Sequence, residues 1–325
     1  MGRVWQPLIR FMILSALCYA FFLIISQRDN FFKFIDSVSF GMIVVLLLFA
    51  FLNYALRFLR WHLYLKAMQV PIEYAKSFKV FMAGLSMTVT PGKAGEVFKS
   101  NFLHDETSSP WITGVSVVFV ERLMDLVGVV LLVLLGTLFF PVGKGIAVVG
   151  LLICFTILLV FTSPRLFVPL INLTARIKRL STAKDKTLDI YNNIRNLLSW
   201  RLFILTTLLS VVAWFSECLV LYFALIACGC KLSIVHATFV YSLSTLAGAL
   251  SMIPGGLIAT EGSMTGLLFL FGIAFDQGTL VTLIVRICTL WFAVLLGALF
   301  LMLLVRDGRQ RKGEARDTIG KQCSG

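Results

Sequence analysis

Ser251-Met-Ile-Pro-Gly-Gly-Leu-Ile-Ala-Thr-Glu261 breaks an apolar segment at its centre, and Thr88-Val-Thr-Pro-Gly-Lys-Ala-Gly-Glu96 breaks another. Proline removes a backbone donor and glycine gives up helical order, so each stretch ends one helix and lets a second begin. An apolar segment of some 30 residues, broken in the middle, can dip into a membrane and return to the side it came from. The two segments, 75–103 and 236–271, read as re-entrant helical hairpins of this kind.

The surrounding chain has the composition of a membrane protein. Of its 325 residues 59% are hydrophobic and 14% charged, with a mean hydropathy of +0.93. Soluble domains carry about 25% charged residues, and apolar runs long enough to cross a bilayer recur along the chain. Backbone polar groups in hydrocarbon must be satisfied within their own segment, so helices are the expected spanning elements. The expectation is an all-α polytopic membrane protein built of two inverted-topology repeats. Residues 1–140 hold spans 8–25 and 39–58, the re-entrant 75–103 and span 111–140. Residues 141–305 hold spans 146–161 and 202–228, the re-entrant 236–271 and span 278–305, and 306–325 form a basic tail. The first run lacks a small-residue cleavage site and reads as a retained span.

Three coincidences support the repeats. The Pro-Gly pairs at 91 and 254 are 163 residues apart, Glu96 and Glu261 are 165 apart, and Arg122 and Arg286 are 164 apart. Broken helices in inverted repeats are a recurring architecture of secondary transporters.

Charge gives the orientation. With both termini inside, the segments expected in the cytoplasm carry 21 of the 29 Lys and Arg and the external loops carry 4, the asymmetry of a positive-inside cell-membrane protein. The net charge of +13 is thereby topology, not a nucleic-acid footprint. Nine ionisable residues remain at membrane depth: Lys93, Glu96, Lys99, Glu121, Arg122, Asp125, Glu217, Glu261 and Arg286. Each costs about 2.5–3.5 kcal/mol to insert on translocation scales, which makes each a functional candidate. Packing ion pairs are the bland reading, but a few would suffice for that.

The sharper reading is a polar cavity. At Pro91-Gly92 and Pro254-Gly255-Gly256 a half-helix start can present backbone N–H groups to an anionic headgroup. Lys93, Arg122 and Arg286 add charge, arginine being able to grip phosphate with two donors. Glu96, Glu121, Asp125, Glu217 and Glu261 are the candidates for taking up protons or holding the arginines when no ligand is present. No cofactor or metal is expected: the chain has no CxxC, its three histidines are far apart, and GxxxxGK[ST] and D-x-D are absent.

Pro91-Gly-Lys-Ala-Gly-Glu96, Val120-Glu-Arg-Leu-Met-Asp125 and Ile253-Pro-Gly-Gly-Leu-Ile-Ala-Thr-Glu261-Gly together resemble the lysylphosphatidylglycerol synthase transmembrane-region family, the flippase-like domain proteins. The resemblance covers about residues 8–305. It implies a stand-alone form without the aminoacyl-transferase domain, hence lipid translocation and not lipid synthesis. The expected function is alternating-access movement of an anionic or zwitterionic phospholipid, or of a polyprenyl-phosphate-linked lipid, between leaflets. Membrane lipids are the expected partners, with a lipid-synthesising enzyme as a further one. The alternatives are a membrane-embedded glycosyltransferase using a polyprenyl-phosphate sugar donor, with Asp29 and Asp36 in its first loop, and a non-catalytic accessory subunit of a lipid-modifying enzyme.

Overall fold

The computed structural model describes residues 39–90, 95–140, 144–167 and 184–322. The expected span 8–25, Asp29 and Asp36 of the first loop, and Pro91, Gly92 and Lys93 lie outside these. The described residues are helical throughout, with no strand among them. Helices α1 (Phe40–Ala67), α2 (Tyr74–Leu85), α3 (Phe98–Thr107), α4 (Trp111–Thr137) and α5 (Lys144–Thr162) come first. Then follow α6 (Lys184–Leu197), α7 (Trp200–Ala227), α8 (Ile234–Leu250), α9 (Ala259–Leu270), α10 (Phe275–Arg286) and α11 (Phe292–Gln322). A single π-turn, Ile287–Trp291, joins the last two into one rod.

Among the described residues four helices are long and apolar enough to cross a membrane: α1, α5, α7 and the rod Phe275–Asp307. The chain is a multi-pass helical membrane protein. Helix α4 is also long, about 40 Å at 1.5 Å per residue, but Glu121, Arg122 and Asp125 sit in its middle.

Helices α1 and α7 pack on each other and run antiparallel. Their register is set by Asn53, whose Nδ2 donates to the Ala213 carbonyl at 2.8 Å, and by the Phe49–Phe223 stack at 5.4 Å. Helix α1 continues nine residues beyond the expected end at Phe58, because Tyr54, Phe58, Trp61 and Leu65 keep the apolar stripe at helical spacing through the arginines.

The two broken segments behave alike. Neither arm of the first, 12 and 10 residues long, can span the ~30 Å hydrocarbon core. Before the first break the hydroxyls of Ser86, Thr88 and Thr90 donate to the carbonyls three residues back at 2.6–2.7 Å. These local bonds compete with the helical ladder. After it, Gly95 N–H returns to Thr90 Oγ1 at 2.7 Å. The second break passes through left-handed backbone at Met252, Gly255, Gly256 and Ile258, with φ between 55° and 72°. Its ends lie together: His236 at the start of α8 and Phe271 just after α9 have ring centroids 4.9 Å apart, with Phe140 within 5.1 Å of both.

Opposite that aromatic end lies a charged one. There Lys79 of α2 pairs with Asp307 at 2.8 Å, and Asn193 of α6 donates to Ser116 near the start of α4 at 3.4 Å. The stretch 163–201, a loop by sequence, thus contains the 14-residue helix α6. The first arm of each broken segment packs on the last long helix of the chain's other half, α2 on α11 and α8 on α4.

Candidate functional site

The charges at the centre of the bundle gather into two groups. The first joins α1, the break after α2, α3 and α4. Asp125 accepts from Arg60 at 2.7 Å, and lies 2.9 Å from Arg122 and 3.6 Å from Arg57. Glu96 lies 3.2 Å from Arg122, 3.4 Å from Lys99 and 3.9 Å from Arg57. Lys99 donates to Glu121 at 2.6 Å while its ammonium stands 4.7 Å from the Trp61 ring and 5.0 Å from Phe81. Arg60 also donates to Ser210 of α7 and, at 3.3 Å, to the Glu121 carbonyl. Trp214 of α7 donates to Asp125 at 3.3 Å and carries the Arg57 guanidinium 6.0 Å from its ring.

Four bases thus meet three acids in ion pairs, and Glu217 of α7 acts on Arg57 as a fourth acid. The hydrogen bonding is not evenly shared. Lys99 and Arg60 are fully buried and well hydrogen-bonded. Arg122 is close to two carboxylates, yet none of its three guanidinium nitrogens makes a well-aligned hydrogen bond among the described residues, and the same holds for Nε and Nη2 of Arg57.

The second group belongs to the second broken segment. Arg286 donates from Nε to Glu261 at 2.7 Å and from Nη2 to the Gly255 carbonyl at 2.5 Å, tying the turn to the rod. Nearby, Tyr241 of α8 donates to Glu217 of α7, and Tyr54 of α1 donates to the carbonyl of Thr289 inside the π-turn. π-turns recur at functional sites, where they re-aim backbone groups.

Both groups line one cavity of about 410 Å³. Arg57, Arg122, Asp125, Arg286, Glu217 and Tyr241 all border it. Leu126, Val129, Ile153, Leu246, Ala249 and Leu250 extend it as an apolar wall. The arrangement offers arginine donors to an anion, carboxylate and phenol to a cation, and a hydrocarbon surface to an apolar group.

Of the sequence candidates, Arg122, Asp125, Glu217, Gly255, Gly256 and Arg286 border this cavity. Glu96 and Glu261 each reach an arginine across the site, Arg122 and Arg286 respectively. Glu121 lies behind, bonded to Lys99. The second break differs from the expected anion-binding helix start. Gly256 N–H is taken up by the Ile253 carbonyl at 2.9 Å, and Glu261 sits in the first turn of α9. A turn this tight uses its own N–H groups and presents a carbonyl, that of Gly255, to Arg286. Gly262 and Gly266 of α9 make no close helix contact, since a Cβ at either position would meet nothing within 4 Å.

Sequence reasoning missed Arg57 and Arg60, which it counted with the cytoplasmic bases, and with them Tyr54, Trp214 and Tyr241. The two arginines are 4% and 0% exposed. Their signal was present: they lie on a stripe that continues through Trp61 and Tyr64 at helical spacing.

Comparison with known proteins agrees with the geometry of a membrane bundle. The sequence profile described as the lysylphosphatidylglycerol synthase TM region matches residues 9–297. A UPF0104 membrane protein of Methanothermobacter thermautotrophicus is 37% identical over 93 residues, which is 29% of this chain and only 28% of that protein. UPF0104 membrane proteins of Methanocaldococcus jannaschii and Pyrococcus horikoshii are 25% and 24% identical over 68% and 75% of this chain, and 94% and 81% of their own lengths. With its profile matched over nearly its whole length, the chain belongs to the lysylphosphatidylglycerol synthase TM region family.

Proposed function

We propose that this protein moves a phosphate-bearing lipid, a phospholipid or a polyprenyl-phosphate-linked one, between the leaflets of a membrane. The observation that carries the reading is the pair Arg57 and Arg122 on the cavity wall. Nε and Nη2 of Arg57 and all three guanidinium nitrogens of Arg122 make no aligned hydrogen bond among the described residues, although Nη2 of each is within ion-pair distance of Glu96 and Asp125. A buried donor without an acceptor costs about 1–3 kcal/mol, and the oxygens of a phosphodiester would satisfy several donors at once. Glu96, ion-paired to both arginines and to Lys99, is the acid with which a phosphate would compete for them. Arg286, bound to Glu261 and Gly255, faces the same space from the second broken segment.

Movement follows from the cross-packing. If 75–103 and 236–271 are re-entrant hairpins in inverted repeats, rocking one half against the other closes the cavity to one leaflet as it opens to the other. The energy then comes from a gradient or from downhill lipid flow.

A flip assay in proteoliposomes with fluorescent phospholipids tests the reading. The wild-type protein should accelerate exchange of at least one phosphate-bearing lipid. Arg122→Ala, losing charged hydrogen bonds of about 1.5–3 kcal/mol, should slow it roughly 10- to 150-fold, while Arg122→Lys keeps part of the rate. No acceleration of any phospholipid or polyprenyl phosphate, or turnover of a labelled lipid-linked sugar by the purified protein, would sink the proposal in favour of a transferase.

A further inference from the structure

The cavity has a charged part and an apolar one: Arg57, Arg122 and Arg286 border it together with Leu126, Val129, Ile153 and Leu246. A phosphate belongs with the arginines, and the apolar wall shows where hydrocarbon attached to it would lie.

Helix α5 lies over the seam between α4 and α8. Its Gly150 closes that seam: a Cβ there would stand 2.9 Å from Val130 and 3.2 Å from Leu246. One turn further on, the packing opens. Ile153 of α5 borders the cavity, and across from it Leu250, Met252 and Ile253 do so from the end of α8 and the second break. These three border the cavity and are also 37%, 64% and 39% exposed to the outside, so the cavity has a mouth here.

The mouth is at hydrocarbon depth. Both α5 and α8 start at the aromatic end, where Phe140, His236 and Phe271 meet. At 1.5 Å per residue Ile153 lies roughly 14 Å in and Leu250 roughly 24 Å, inside a hydrocarbon core about 30 Å thick. An opening to water at that depth would be lined with polar groups, whereas this one is lined with Ile, Leu and Met.

We propose that the hydrocarbon chain of the lipid leaves the cavity sideways through this mouth, between α5 and the turn of the second broken segment, and stays in the bilayer while the phosphate occupies the arginine site. The proposal rests on the transport reading above and adds the route to it. The charged pocket and the apolar mouth are continuous, so the occupant has a polar end and a hydrocarbon end.

Two variants test the mouth, each measured by lipid flip in proteoliposomes and by calorimetric binding of sn-glycerol 3-phosphate, which has no hydrocarbon chain. Ile153→Trp fills the opening from α5. Met252→Asp, at an exposed position that no core packing depends on, puts a charge at its rim. Both should flip lipid at least tenfold more slowly, and Met252→Asp should bind glycerol phosphate as the wild type does. Flipping at the wild-type rate by either folded variant overturns the route and leaves the transport reading standing. A wild-type protein that binds glycerol phosphate but flips no lipid overturns the transport reading itself. Loss of glycerol phosphate binding in Met252→Asp would show that the rim belongs to the polar site, and would also overturn the route.

Discussion

Lys99 crosses from α3 beneath α2, where a Cβ on Gly84 would lie 2.3 Å from its stem, and ends on Glu121 between two aromatic rings. An ion pair this deep is costly to break and cheap to replace. Removing one partner strands a buried charge at about 3–5 kcal/mol, whereas an apolar pair of similar volume is often neutral or better. Lys99→Met alone should therefore lower thermal stability strongly, and Lys99→Met with Glu121→Met should recover most of the loss. Unfolding followed by tryptophan fluorescence in detergent decides it: equal losses in the single and double variants would show that the two residues do not act as a pair. Glu121 and Asp125 stand one turn apart on α4, where two carboxylates repel unless cations offset them. Their partners Lys99 and Arg60 come from other helices, so no spacing along the chain revealed that each was already neutralised.

Glycine marks where elements touch. Gly297 of α11 lies against the end of α2, and a Cβ there would stand 2.2 Å from the Ser86 backbone nitrogen. Gly297→Ala must push the rod away from the first break, at the 1–3 kcal/mol typical of overpacking. Gly266→Ala, in the middle of α9 with open space around it, should instead stabilise by up to about 1 kcal/mol through helix propensity. Melting temperatures of the two variants should move in opposite directions, and a shared sign would refute this account of the contact. The breaks themselves were legible, because Pro-Gly within an apolar run has a local cause. The continuation of α1 to Ala67 was not. Arginines within a helix look like its end until a partner such as Asp125, 65 residues away, is in place.

At the level of the molecule the charges sort by end. Moving Arg57 and Arg60 into the bundle leaves 19 bases in the segments expected in the cytoplasm, against 4 in the loops expected outside, so the predicted orientation keeps its basis. Cysteines placed at Lys76 and Lys231 in a cysteine-free background should react with a membrane-impermeant maleimide from opposite sides, Lys76 from the cytoplasm and Lys231 from outside. Both positions are exposed at their helix ends, and labelling from one side only would overturn the topology. Composition and periodicity were enough for a helical membrane protein with two broken segments, since bilayer thickness and backbone hydrogen bonding act on each stretch of chain separately. Which charges neutralise one another, that both arginine groups border a single cavity, and that α5 and the second break supply its apolar wall were settled only by tertiary packing. Each depends on residues from three or more helices meeting at one depth, and that juxtaposition has no signature along the chain.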